Sequence, residues 1–177
     1  MPIVMGLATR ISKLAHGLSA KDAARAFARS RAKGAALDDA ERAQADEFEA
    51  TIEAMFLMAA VDGDVAKEEV LHLSASLQAI VDTTASTHVM DLDATLTELN
   101  AKLARDGWKA RLDSLSRRLK TPEARTFAFR LAAGVAFCDD TVEHAEAAAI
   151  EAFTAALQIP SDDAHAILRD VQAVLFD

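Results

Sequence analysis

Apolar positions recur at helical spacing along most of the chain. Val4, Leu7, Ile11, Leu14 and Leu18 stand three or four residues apart, which is one face of a helix. Ser19-Ala20-Lys21-Asp22 has the form of a capping box, so a second helix is expected from there to about Lys33, closed by Gly34. Residues 39–61 carry the next stripe: Phe48, Ile52, Met55, Phe56 and Ala59. Asp62-Gly63-Asp64 stops that helix, with Gly63 suited to a left-handed end. Val70, Leu73, Leu77 and Ile80 mark a helix that starts near Ala66, and residues 82–88 form a polar connector.

Leu92, Leu96, Leu99 and Leu103 predict a further helix closed near Gly107, and Trp108, Leu112, Leu115 and Leu119 predict another. Thr121-Pro122-Glu123 is a helix start with a hydroxyl cap, proline in the first position and an acid in the first turn. That helix should run to about Cys138 with Phe127, Leu131 and Val135 inward. An acidic turn follows, then a helix over 143–157 that Ile159-Pro160 ends. Ser161 is expected to cap a last helix carrying Ile167, Leu168, Val171 and Leu175. No segment alternates with period two. The expected fold is therefore all-α: a compact bundle of seven to nine helices with short links and no strand. Residues 1–36 form a separate basic, amphipathic segment ahead of a main domain at 37–177.

Composition agrees with this pattern. The 177 residues are 51% apolar, enough for one domain with a sizeable core, and only 6 are Gly and 3 Pro. No apolar run approaches the ~18 residues of a membrane span. The single cysteine, Cys138, has no internal disulfide partner, and its apolar neighbours favour a buried thiol. A reducing cytoplasm is the natural setting.

Charge changes the picture more. The net charge is −9, yet residues 1–36 hold seven Lys/Arg against one acid, Asp22, for a net +6. The remainder carries −15. So acidic a body repels phosphate, which argues against nucleic acid and for cations or basic protein surfaces, a second copy of the chain included. The basic start admits three readings: a helix docked on its own domain, a helix on a membrane surface, or a transit peptide. Lys102, Arg105, Lys109, Arg111, Arg117, Arg118 and Lys120 form a second basic run. It is either a solvated helix face or a docking surface for an acidic partner.

A shift of 77 residues superposes two acidic segments. Ala59, Asp62, Val65 and Glu69 fall on Ala136, Asp139, Val142 and Glu146, and downstream Leu73 falls on Ile150 and Ile80 on Leu157. The shared order is apolar helix, acidic turn, valine, glutamate, apolar helix. The pattern apolar-Ala-x-Asp-Gly-x-Val, with Glu four residues on, resembles the signature of the TerB-like superfamily, which includes TerB and the N-terminal region of DjlA-type membrane co-chaperones. Asp62-Gly63-Asp64-Val65 with Glu69 carries the resemblance, and the second copy departs from it where Asp140 replaces glycine. Residues 45–175 are covered and residues 1–40 lie outside. The resemblance implies an all-helical pseudo-repeat with an acidic surface for divalent metal, a role in tellurite or chemical-stress responses with a protein partner, and no enzymatic activity.

The residues themselves support two readings. Hard cations such as Ca²⁺ or Mg²⁺ take several oxygen ligands at once. Asp62, Asp64, Glu68 and Glu69 offer these in the first copy, and Asp139, Asp140, Glu143 and Glu146 in the second. Equally, acids in the first turn of a helix stabilise it by capping and through the dipole, with no metal at all. An EF-hand is excluded: counted from Asp62, Lys67 and Leu73 fall where its glycine and bidentate glutamate belong. Zinc is less suited, because His16, His72, His88, His144 and His165 are scattered. No phosphate loop or nucleophile elbow is present, so no enzyme is expected.

Overall fold

The computed structural model describes residues 38–61, 92–137 and 144–176. These residues form six α-helices and, among themselves, no strand. They are α1 (Asp39–Ala59), α2 (Leu92–Asp106), α3 (Trp108–Arg118), α4 (Pro122–Ala136), α5 (His144–Ala156) and α6 (Ser161–Phe176). The helices expected over 3–33 and 66–80, Cys138, and both acidic turns lie outside the described residues.

Local chemistry sets the helix ends. Asp38 is extended and its Oδ1 accepts the Glu41 N–H at 2.7 Å, which fixes the start of α1. Thr121 does the same for α4, accepting the Ala124 N–H at 3.1 Å, with Pro122 following. Gly107 separates α2 from α3 at φ +88°, a conformation that favours glycine. The expected cap at Ser161 is corrected: Ser161 is already helical, and the Pro160 carbonyl takes the first bond, from the Ala164 N–H at 2.9 Å.

Helix α1 is the axis of the core. From Ala50 to Met58 every residue is buried, so this helix has no solvent face over more than two turns. Of the expected stripe, Phe48, Ile52, Met55 and Phe56 are buried and Ala59 is half-buried, but Ala54, Leu57 and Met58 on the other sides are buried too. Its most extensive packing is against α4, then α3. The face that α4 buries is wider than expected. Leu131 is buried as its spacing predicts, and Phe127 and Val135 are half-buried and pack against the core, but Ala128, Phe129, Ala132, Ala133 and Ala136 are buried as well. The reason is size: alanines on α4, with Gly134, let its backbone come close to a helix that carries Ile52, Met55 and Phe56. Fully burying each of Phe56, Phe129 and Phe153 contributes roughly 1.5–3 kcal/mol.

The amphipathic helices α2, α3 and α6 cover this core. Leu96 and Leu99 of α2, Leu112 and Leu115 of α3 with Leu119 beyond it, and Val171 of α6 are buried, as their spacing predicts. Leu103, Trp108, Ile167 and Leu168 are half-buried, and Ala164, outside the expected stripe, is buried. Arg130 of α4 pairs with Asp170 of α6 at their outer edge. No helix among the described residues is long and apolar enough to cross a membrane.

Candidate functional site

Two constellations of charge stand out among the described residues, and neither is the acidic repeat. The first centres on Glu53. Its position within the enclosed stretch of α1 leaves the side chain 1% exposed. A carboxylate taken from water costs several kcal/mol unless it is paired and hydrogen-bonded. Here α3 supplies the pairing. Arg111 meets Glu53 side-on, Nε donating to Oε2 at 2.7 Å and Nη2 to Oε1 at 2.9 Å. Arg118 donates from Nη2 to the same Oε1. Seven residues separate the two arginines, two turns of helix, so both reach the same side.

The network runs outward to the end of α2. Arg111 Nη1 donates to Asp106 Oδ2 at 3.1 Å, and Arg105 grips the same carboxylate at 2.8 and 3.0 Å. Hydrogen bonding from Arg105 first, then from Arg111, lowers Asp106 from 3.8 to about 2. The hydrogen bonds to Glu53 raise Arg111. The Arg118 Nε is buried and finds no hydrogen-bond partner among the described residues. Both Glu53 oxygens already accept from guanidinium groups, so this cluster pins α1 to α3 rather than offering a place for substrate.

Beside it, Trp108 opens α3 and joins three helices. Its Nε1 donates to the Leu57 carbonyl of α1 at 2.8 Å. Its ring meets Phe153 of α5 edge-on, with centroids 5.9 Å apart at 78°.

The second constellation surrounds Arg125 of α4. Its Nε donates to the Leu119 carbonyl at 2.7 Å, and the terminal nitrogens reach Ser116 O at 3.4 Å, Leu157 O at 3.5 Å and Gln158 Oε1 at 3.4 Å. The C-terminal ends of α3 and α5 are thereby tied to α4. The α5 end is a tight reversal: the Ile159 N–H returns to Thr154 O at 3.0 Å and the Gln158 N–H to Ala155 O at 3.3 Å. This requires Gln158 at φ 55°, left-handed for a residue with a Cβ. Between the first turn of α4 and this reversal lies an open groove of about 360 Å³.

The residues singled out from the sequence fall as follows. Asp62, Asp64, Glu68, Glu69, Asp139, Asp140 and Glu143 are outside the described residues. Glu146 lies in the first turn of α5, half-buried. Among the described residues no three His, Cys, Asp or Glu side chains come together as a metal site. The basic run divides. Lys109, Arg117 and Lys120 are exposed, whereas Arg111 is buried and Arg118 half-buried, which corrects the expectation of one common face. Helical periodicity does not single out Glu53. Its signal was there: it is the one charge within the apolar stretch from Ala50 to Val61.

No family model matches the chain, and no curated protein or solved structure matches it either.

Proposed function

We propose that the chain is a non-catalytic helical module of the TerB-like kind, which takes up a divalent cation on its repeated acidic segments and docks a partner protein. What supports this is the packing of the two helices that lead into the motif copies. α1 runs into the segment of Asp62, Asp64, Glu68 and Glu69, and α4 runs into that of Asp139, Asp140, Glu143 and Glu146. These helices pack on each other more extensively than any other described pair. Both acidic segments therefore leave one rigid helix pair. Their carboxylates are the hard oxygen donors that Ca²⁺ or Mg²⁺ takes, in preference to Zn²⁺. A stress-response role, tellurite included, follows from the resemblance alone, as does a partner protein, and the setting proposed is the cytoplasm.

Calorimetric titration of the full chain with Ca²⁺, Mg²⁺, Mn²⁺ and Zn²⁺ tests the reading. Trp108, the sole tryptophan, is bonded to Leu57 just ahead of the first acidic segment, so its fluorescence gives a second readout. The expected result is binding tighter than about 1 mM that is lost in Asp62→Ala with Asp139→Ala. Absence of both effects sinks it.

A second reading rests on charge. A segment of +6 ahead of a body of −15 suits a metal-independent scaffold, tethered to a partner or to a membrane surface by residues 1–36. Its expectation is that deleting residues 1–36 abolishes binding to anionic liposomes or to a co-purifying protein. A full-length chain that binds neither excludes it.

A further inference from the structure

The groove beside Arg125 has a floor and a charge. Pro122 at the start of α4, Leu157 and Ile159 at the α5 reversal, and Ile167 of α6 give it an apolar lining. Arg125 lines it as well, and Asp163 of α6 is the only acidic lining residue among the described residues. A guanidinium has five N–H donors. Arg125 directs four hydrogen bonds, all to uncharged oxygens, and three of them span 3.4–3.5 Å, beyond the usual 2.7–3.2 Å range. It makes no ion pair with any described carboxylate, in contrast to Arg105, Arg111, Arg118 and Arg130. Carbonyls at helix ends bring fractional charges; a carboxylate brings a full one and shorter, stronger bonds. The first turn of α4, the positive end of that helix, forms the same wall.

We infer that this groove binds a small carboxylic acid with an apolar body, its carboxylate on Arg125 and its chain over Leu157, Ile159 and Ile167. The volume of about 360 Å³ lies near the lower limit for ligand pockets, which sets a free small molecule as the occupant. Asp163, on α6, also lines the groove and disfavours an anion, and so works against affinity.

The test uses the full chain with octanoate, octanol and octylamine as probes, followed by chemical-shift perturbation. Octanoate should saturate with a dissociation constant near or below about 1 mM, and octanol should bind at least about tenfold more weakly. Ala166→Trp fills the groove from an exposed position and should abolish the shifts with the fold intact. Asp163→Asn, also exposed, should tighten octanoate about two- to tenfold and leave octanol unchanged. The inference is overturned if octanol matches octanoate, if octylamine binds best, if Ala166→Trp binds as the parent does, or if Asp163→Asn weakens octanoate. Neither variant touches the acidic repeat, so failure here leaves the cation reading standing.

Discussion

Two arginine sites in this molecule solve different problems. At the α1–α3 contact, Arg111 and Arg118 surround a carboxylate that is 1% exposed, and charge meets charge. At the α4–α5 contact, Arg125 is half-buried and meets only carbonyl and amide oxygens. The first is closed: its acceptor oxygens are taken, and losing either partner strands a charge in the core. The second is held by one short bond, to the Leu119 carbonyl, and three long ones, and it borders an open groove. A buried ion demands a fixed counter-ion. A half-buried one is stabilised by solvent and by helix ends, and it keeps capacity for a ligand.

The contrast is broken hardest at Glu53. Glu53→Gln leaves Arg111, itself 9% exposed, with only the rim carboxylate of Asp106 as a counter-ion and none in the core. The expected loss is about 3–5 kcal/mol, read from urea denaturation. A sharper form replaces the whole cluster: Glu53→Leu, Arg111→Met and Arg118→Leu together should restore stability to near or above the parent's. A triple variant as unstable as Glu53→Gln would show that the charges contribute net stability.

Arg125→Met probes the other side. It removes donors from the carbonyls of Leu119 and Leu157, residues 0% and 1% exposed, and from the more exposed Ser116 and Gln158 oxygens, but strands no charge. A loss of about 1–3 kcal/mol is therefore expected, less than at Glu53. Equal losses at the two sites would erase the distinction. Smaller still is Gln158→Gly. It relieves a left-handed backbone at the rim of the groove and should stabilise by about 0.5–1 kcal/mol, seen as a rise in the denaturant midpoint. A fall would mean that the Gln158 side-chain contact with Arg125 outweighs the strain.

The smallest effect is pH-dependent. Asp106, on the exposed rim of the closed site, is lowered from 3.8 to about 2 by its hydrogen bonds from Arg105 and Arg111. A depressed carboxylate stabilises the fold above its unfolded value and loses that contribution as pH falls. The stability difference between the parent and Asp106→Asn should hold at neutral pH, shrink below pH 3.8 and close near pH 2. A difference that is flat across this window would show that Asp106 is not coupled to folding.

How much of this was legible along the chain varies by feature. Most helix boundaries were, because they depend on near neighbours, although Ser161 is helical rather than the cap of α6. Thr121-Pro122 starts α4, Gly107 divides α2 from α3, and the reversal before Pro160 ends α5. The leucines of α3 read correctly because one apolar face of an outer helix has a clear period. Burial in α1 and α4 did not. When a helix is enclosed on all sides periodicity vanishes, so a stripe was read where a full circumference is buried. Alanine, small enough for either face, hid the true contact side of α4. The chemistry was less legible still. Arg111 and Arg118 look like any surface run of basic residues. Only the placement of Glu53, 58 and 65 residues away, turns them inward.

Sequence alone determined the helical class, most of the described helix ends, the doubled acidic motif and the split of charge between residues 1–36 and the rest. Each of these is a property of neighbours along the chain or of composition. Tertiary structure decided which charges are buried and which face of α4 meets α1. It also decided that Arg125 faces carbonyls beside a groove while Arg111 faces a carboxylate. Those outcomes depend on which residues, distant in sequence, share a volume from which water is excluded. Within that volume an ion must find its partner across the fold.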